Sequence, residues 1–167
     1  MPMTKLIAAA LAATVAFPAL AQMPTLTPTD FVMQAGASDK FEISEAKLMQ
    51  NSKNADIRGF ANKMITDHTK STAMVKAAAM KDGLHPTPPV LNSEQQSNLA
   101  QLKTANGSAR DALYIQQQKP AHQQALALMQ SYASTGTATH LKQAAGQIQP
   151  VVQSHLDMLN QMPAPAM

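Results

Sequence analysis

The sequence predicts an all-α protein, a ferritin-like up-down four-helix bundle with a crossover that carries a short extra helix. Hydrophobic residues make up 45% of the 167-residue chain but aromatic residues only 4%, a composition that favours helices over sheets. Apolar side chains recur at alternating steps of three and four in several long segments, as on one face of a helix. The chain contains no cysteine, which excludes a disulfide scaffold and thiolate metal sites.

Residues 1–21 are typical of a secretory signal peptide. Lys5 is the positive segment, residues 6–17 form the apolar segment, and Ala-Leu-Ala at residues 19–21 is a cleavage box. We expect cleavage after Ala21 and a periplasmic or secreted mature protein. An uncleaved N-terminal anchor is the alternative, although the apolar run is shorter than the ~20 residues that a membrane span needs. No later stretch could span a bilayer, and residues 22–27 should form an extended leader.

The charged residues of the mature chain are few and interspersed. Removal of Lys5 leaves 12 of the 13 Lys and Arg residues, against 10 Asp and Glu residues. Nucleic-acid binding needs a clustered basic face, so we expect no nucleic-acid partner. A protein of the cell envelope remains a candidate partner.

The first two helices are predicted to form an antiparallel hairpin. Thr27 is the expected N-cap of helix one, which runs over residues 28–51 with a kink or break near Gly36. A short polar turn leads to helix two, residues 55–81, with Asn54 as N-cap. Gly83 should close helix two in a left-handed conformation.

Prolines define the rest of the chain. The Pro-rich residues 85–89 indicate an extended crossover, and Ser93 with Gln96 resembles a capping box for a short helix to residue 105. Helix three, residues 108–134, should begin at Ser108 and be kinked or divided at Pro120. Helix four covers residues 138–162 and is interrupted in the same way at Pro150. The bundle domain is thus predicted over residues 28–162, followed by a disordered tail at residues 163–167.

Three of the long helices place one histidine in their apolar stripe. These are His68 in helix two, His122 in helix three and His155 in helix four. If the helices align, the imidazoles meet inside the bundle. Neutral imidazole is a ligand for transition metals, and a bundle interior is a common place for such a site.

Carboxylates of helices one and three could complete this group. Glu45 is the predicted fourth metal ligand, beside His68, His122 and His155, while Glu42 and Asp111 are candidates for the second layer around the metal. The candidate metals are Fe, Zn, Cu and Mn.

A structural role for these histidines is the other interpretation. Buried polar networks can specify one packing when every member is satisfied. A di-iron oxidase would need Glu-x-x-His on two helices, but Ile65, Lys119 and Val152 stand three residues before the histidines. No nucleophile elbow, phosphate loop or dinucleotide fingerprint is present. We therefore lean against an enzyme and assign no catalytic residue.

The chain resembles a bacterial family known as domain of unknown function 4142. The resemblance is carried by residues 57–68, which end in Met-Ile-Thr-Asp-His, and by residues 30–35, 42–48, 111–114, 122–126 and 149–156. Members are often labelled as outer membrane or secreted proteins. The resemblance implies a ferritin-like bundle outside the cytoplasm and no settled activity.

Two functions remain open from the sequence. The first is an exported, non-enzymatic helical bundle whose buried His and carboxylate groups form a polar network. The second is a metal-binding ferritin-like protein that uses the same cluster in storage, sensing or redox protection.

Overall fold

The computed structural model describes residues 26–162, and every regular element in this range is an α-helix. The predicted signal peptide, most of the extended leader and the predicted tail at residues 163–167 lie outside the described residues. The helices are α1 (Pro28–Met49), α2 (Ala55–Lys81), α3 (Ser93–Thr104), α4 (Gly107–Thr135) and α5 (Thr139–Gln161).

The four long helices form a bundle with one long connection. α1 packs against α2 and α4, and α5 packs against the same two helices. Contacts such as Phe31 with Tyr132 and Glu45 with Gln118 show that α1 and α4 run antiparallel. The crossover with α3 therefore carries the chain back along the bundle between α2 and α4. This is the ferritin-like arrangement expected from the sequence, and the predicted fold class is confirmed.

The first two helices begin and end largely as their sequence predicts. The Thr27 hydroxyl accepts a hydrogen bond from the backbone N–H of Asp30, and the Asn54 side chain accepts from two N–H groups of the first turn of α2. Gly83 adopts a φ of +79°, and the N–H of Leu84 donates to the Ala79 carbonyl. This left-handed turn ends α2 and starts the crossover.

Two expected helix starts are displaced by one residue or more. Asn92, and not Ser93, caps α3 in a reciprocal capping box with Gln95. α4 already begins at Gly107, after Asn106, so Ser108 lies inside it. Asn and Ser are both favourable N-cap residues and stand close together at both helix starts. The sequence prediction selected the serine in each case, whereas the structure uses the asparagine.

The prolines and the glycine expected to interrupt the helices do not divide them. α4 continues through Pro120, α5 through Pro150, and α1 through Gly36. A Cβ atom built on Gly36 would lie 3.1 Å from Cβ of Pro89, so this glycine lets the crossover pass close to α1. The Lys40 ammonium also donates to the Pro89 carbonyl at 2.9 Å, which fixes the crossover on α1.

The core is divided into two apolar clusters at opposite ends of the bundle. One surrounds Phe31, Tyr132 and Leu141, and the other surrounds Phe60, Met64 and Leu159. The three stripe histidines belong to neither cluster and lie buried in the interior. Among the described residues, no helix combines the length and hydrophobicity that a bilayer-spanning segment requires.

Candidate metal site

His68, His122 and His155 come together in the bundle interior, as the helical spacing predicts. We call them the histidine triad. Their ring centroids are separated by 5.7 Å (His68 to His122), 5.3 Å (His68 to His155) and 5.5 Å (His122 to His155). One nitrogen of each ring lies within 4.8 Å of the corresponding atoms of the other two. Each ring comes from a different helix, so the triad marks the level in the bundle at which α2, α4 and α5 meet.

A hydrogen bond holds the outer nitrogen of each triad ring. His68 Nδ1 lies 2.8 Å from Asp39 Oδ1, and His155 Nε2 lies 2.8 Å from Asp67 Oδ2. His122 Nδ1 lies 2.9 Å from the backbone carbonyl of Gln118. Carbonyl and carboxylate oxygens only accept, so each of these nitrogens carries the ring proton.

The remaining nitrogen of each triad ring is then an acceptor with a free lone pair. Among the described residues, His68 Nε2, His122 Nε2 and His155 Nδ1 have no hydrogen-bond partner. Buried polar atoms without a partner are rare and costly in proteins. Three imidazole lone pairs, each oriented by an outer acceptor, are the arrangement found in protein metal sites.

Burial favours the neutral forms of His122 and His155. Burial lowers the pKa of His122 to about 3, and the nearby His68 acts in the same direction. Burial also lowers the pKa of His155 to about 4, against the effect of the hydrogen bond to Asp67. Neutral imidazole is the form that binds metals, so both side chains are ready to act as ligands at neutral pH.

Phe60 forms an apolar wall on one side of the triad. Its ring centroid lies 6.4 Å from that of His122 and 6.2 Å from that of His155, which it meets edge-on. The outer carboxylates differ in exposure, since Asp39 is buried whereas the Asp67 side chain is 21% exposed and pairs with Lys63 Nζ at 2.9 Å. The nearest surface to His155 is therefore reached through Asp67.

The predicted fourth ligand, Glu45, does not join the histidine nitrogens. Its Oε2 accepts a hydrogen bond from Gln118 Nε2 at 3.0 Å, and only the three histidines converge within ligand distance among the described residues. Glu42 Oε1 lies 3.8 Å from His122 Nδ1, on the outer side of that ring. Glu42 is thus a neighbour of the triad, whereas Glu45 is one helical turn farther along α1.

Asp111, the other predicted second-layer residue, lies near the turn between α1 and α2. Its Oδ1 accepts from the Ser52 hydroxyl at 2.8 Å, so it contacts this turn and not a triad ring. α4 has antiparallel contacts with α1, and Asp111 near the start of α4 is therefore placed beside the end of α1. Its three turns of separation from His122 on one face of α4 account for this distance from the triad.

The sequence analysis did not identify Asp39 or Asp67 as partners of the triad. Asp39 lies three residues before Glu42 and six before Glu45, so these three acidic residues share a face of α1. Asp67 is rotated by ~100° from His68 on the same helix, so it lies outside the apolar stripe. That rotation directs it toward α5, where it meets His155.

The two buried glutamates beside the triad, Glu42 and Glu45, have raised pKa values. Burial raises the pKa of Glu45 to about 7. Burial, together with the nearby Glu45 charge, raises the pKa of Glu42 well above its ordinary value. Both side chains are fully buried, so either one is costly to ionise unless a positive charge compensates it.

Comparisons with known proteins agree with this architecture. The profile of a domain of unknown function, DUF4142, matches residues 12–162. A DUF305 fragment from Deinococcus radiodurans has a similar crystal structure, with a TM-score of 0.69, 16% identity, and coverage of 82% of this chain and 96% of that chain. A DUF305 protein from Streptomyces coelicolor gives a TM-score of 0.66 at 11% identity, covering 81% of this chain and 90% of that one. At these identities the likeness concerns the fold, and no curated protein matches the chain significantly.

Proposed function

From the premise that this chain belongs to the DUF4142 family, we propose that it is an exported helical bundle that binds one transition-metal ion in the histidine triad. The observation that carries the proposal is the convergence of three buried imidazoles, one from each of α2, α4 and α5. One nitrogen of each ring lies within 4.8 Å of the others, and one nitrogen of each ring has no hydrogen-bond partner among residues 26–162. A purely structural network would be expected to satisfy these atoms. The structure instead orients each ring from outside and leaves its inner nitrogen free.

The ligand chemistry favours Zn²⁺ or Cu²⁺ among the candidate metals. Imidazole nitrogens suit these ions, and Cu²⁺ followed by Zn²⁺ binds such nitrogen sites more tightly than Mn²⁺ or Fe²⁺. Manganese prefers carboxylate and water oxygen, which the triad does not supply. Three protein ligands would leave a fourth position on the ion for water or another small ligand.

The burial of the triad favours a role in holding the metal over a role in turning over a substrate. His122 and His155 are fully buried and His68 is 3% exposed. Phe60 and the apolar clusters on either side leave little room for an organic substrate beside the ion. Storage, sensing or redox protection by a bound metal is consistent with this environment.

Metal binding can be tested on protein purified from the periplasm. Its metal content is measured, the metal is removed, and the apoprotein is titrated with Zn²⁺ and Cu²⁺. We expect one equivalent to bind in the wild type, and His68→Ala and His122→Ala to weaken binding by more than about 100-fold, beyond the effect typical of changes outside the ligand set. Substoichiometric metal that is unchanged in both variants would contradict the proposal.

Two controls separate ligand loss from unfolding. His85→Ala removes an exposed imidazole outside the triad and should leave one equivalent bound. His155→Gln changes the side-chain volume less than an alanine substitution and should also weaken binding. Far-UV circular dichroism of every variant must show the helix content of the wild type.

Export is proposed on the N-terminal residues alone. Lys5, the apolar residues 6–17 and the Ala-Leu-Ala box at residues 19–21 support secretion with cleavage after Ala21. Cell fractionation and intact-mass measurement should find the full-length gene product in the periplasm without residues 1–21. Deleting residues 2–21 should leave the protein in the cytoplasm. Recovery of the uncleaved chain from the cytoplasm would refute export.

A further inference from the structure

A second group of buried polar side chains lies beside the histidine triad, between α1 and α4. It consists of Glu42 and Glu45 on α1 and Tyr114 and Gln118 on α4, which we call the carboxylate cluster. The glutamates are three residues apart and the α4 residues four apart, so each pair lies on one helix face. All four side chains are fully buried.

Most oxygen atoms of the carboxylate cluster have no partner. Among the described residues, both carboxylate oxygens of Glu42, Oε1 of Glu45, Oε1 of Gln118 and the Tyr114 hydroxyl make no hydrogen bond. The one hydrogen bond inside the cluster runs from Gln118 Nε2 to Glu45 Oε2, at 3.0 Å. Five buried oxygens are therefore left without a hydrogen-bond donor among the described residues.

The amide oxygen of Gln118 is a second, independent indication that a ligand binds in the carboxylate cluster. The amide nitrogen of Gln118 donates to Glu45, so the amide oxygen Oε1 of the same group lies close to that carboxylate. This oxygen is buried and has no donor within residues 26–162. Ionised carboxylates offer only acceptors and cannot satisfy this amide oxygen, whereas a protonated carboxyl group could donate to it. A cation would satisfy the amide oxygen and the carboxylates together.

No basic side chain neutralises the cluster in the described part of the chain. Within residues 26–162, the only ion-pair contact of either glutamate is that of Glu42 Oε1 with His122 Nδ1, at 3.8 Å. The proton of this nitrogen is already donated to the Gln118 carbonyl. Two ionised carboxylates in a low-dielectric interior need a compensating positive charge, which a proton on each group or a bound cation supplies.

We propose that Glu42, Glu45 and the amide oxygen of Gln118 bind a second divalent cation of the hard class, such as Mn²⁺ or Mg²⁺, between α1 and α4. Carboxylate and amide oxygens are the ligands that such ions prefer. The Tyr114 hydroxyl supplies a further oxygen or a hydrogen bond to a ligand of the ion.

This second site is distinct from the histidine triad. Glu42 approaches His122 at Nδ1, whereas the free nitrogen of that ring is Nε2 on its other side. The two sites therefore share one imidazole ring as a wall and use different atoms. Their ligand sets also differ, with nitrogen in the triad and oxygen in the carboxylate cluster.

Mn²⁺ is a suitable probe because its free and bound forms differ in electron paramagnetic resonance. Mature apoprotein is titrated with Mn²⁺ alone and again after addition of one equivalent of Zn²⁺, which occupies the triad. We expect one Mn²⁺ to bind in both titrations. His155→Gln should retain this Mn²⁺, so the result does not depend on whether the triad binds Zn²⁺.

The double variant Glu42→Gln with Glu45→Gln keeps the side-chain shapes and removes both charges. It should weaken Mn²⁺ binding by more than about 100-fold, beyond the effect typical of changes outside the ligand set. Glu94→Gln, at an exposed position in α3, is the matched control and should bind as the wild type does. Because the double variant removes buried charge, it should fold at least as well as the wild type, which circular dichroism checks.

Two results would overturn the second site. One is a wild type that binds no Mn²⁺ at millimolar concentration, which would mean that protons alone neutralise the carboxylates. The other is a double variant that binds Mn²⁺ as tightly as the wild type. Loss of Mn²⁺ binding in His155→Gln with retention in the double variant would place the ion in the triad and would equally refute the proposal.

Discussion

Asp39 on α1 holds Nδ1 of His68 on α2 at 2.8 Å, across 29 residues of chain. The other oxygen of the same carboxylate accepts from the Thr72 hydroxyl at 2.9 Å, one turn farther along α2. These contacts tie the first two helices together at the level of the triad. They also place the ring proton on Nδ1, so the lone pair of His68 is on Nε2.

Asp39→Asn should therefore weaken the metal site without removing a ligand. A neutral amide orients the ring less firmly and makes the imidazole less basic, and such changes outside the ligand set cost about 10–100-fold in affinity. Competition titration with Zn²⁺ measures the effect. Asp157→Asn, at an exposed position of α5, is the control and should not change the affinity. Equal affinities of Asp39→Asn and wild type would contradict the role of Asp39.

Glu45→Gln should stabilise the cation-free protein at alkaline pH. The pKa of Glu45 is raised by burial from 4.5 to about 7 in the folded state. The protonated form of Glu45 thus contributes to the stability of the folded state. This contribution is fully present below the unfolded-state pKa and is lost as the pH rises to the folded-state pKa of about 7. Above that pH the wild type must ionise a buried carboxyl, whereas glutamine does not, and the difference approaches about 3 kcal/mol.

Urea unfolding in the presence of a chelator measures this difference. The free energies of unfolding of Glu45→Gln and wild type should be similar at pH 4 and diverge between about pH 4.5 and pH 7, the ordinary and folded-state pKa values of Glu45. Glu94→Gln, which changes an exposed glutamate, should show no such divergence. A constant difference across this range would mean that Glu45 does not titrate as its burial implies.

Asp82 joins the end of α2 to the start of α5. Its carboxylate accepts from the backbone N–H of His140 at 3.1 Å and of Leu141 at 2.9 Å, and from His140 Nδ1 at 2.6 Å. Asp82→Ala removes this helix cap and should lower the free energy of unfolding by about 1–2 kcal/mol at neutral pH. Thermal or urea unfolding measures the loss, with Asp157→Ala as a control that changes an exposed acidic residue.

The Asp82 effect should disappear in acid. Desolvation acts to raise the pKa of Asp82, but the hydrogen bonds from Leu141 and His140 outweigh it and lower the pKa below 3.8. A depressed pKa contributes stability that is present above the unfolded-state value and is lost as pH falls through the folded-state value. An equal loss at pH 7 and at pH 2.5 would show that Asp82 acts by packing and not as an ionised cap.

Substitution by alanine should change the free energy of unfolding differently at two glycines in helix interiors. Gly59 is exposed and has no atom within 4 Å of a built Cβ, so Gly59→Ala should stabilise by about 0.5–1 kcal/mol through helix propensity. A Cβ on Gly36 would lie 3.1 Å from Pro89, so the gain there should be cancelled by displacement of the crossover. Urea unfolding of both variants gives the comparison, and an equal stabilisation would show that Pro89 does not restrict Gly36.

The helical periodicity predicted the fold and the convergence of the triad because both depend on which face of a helix is apolar. His68, His122 and His155 occupy stripe positions, and stripe positions of neighbouring helices meet in a bundle. The alternation of long segments and one Pro-rich connection likewise predicted the order of helices. These features follow from local spacing, which a single sequence contains.

The partners of the triad depend on contacts between helices and were only partly predictable. Asp67 lies outside the apolar stripe of α2, and only the packing of α5 against α2 shows that it bonds to His155. Glu45 was chosen as a ligand for its position on the inner face of α1, but the relative heights of α1 and α4 place it beside Gln118. Pro120 was expected to kink or divide its helix, and the structure shows that it does not divide α4, which continues from Gly107 to Thr135.

X-ray absorption at the Zn edge of the Zn²⁺-loaded protein tests the metal site most directly. Three histidine nitrogens at about 2.0–2.1 Å, with the outer-ring scattering typical of imidazole, are the expected result. His85→Ala should give the same spectrum, and His155→Gln should lose one imidazole contribution. A spectrum of Zn²⁺ with one imidazole or none, unchanged in His155→Gln, would contradict a metal site built from His68, His122 and His155.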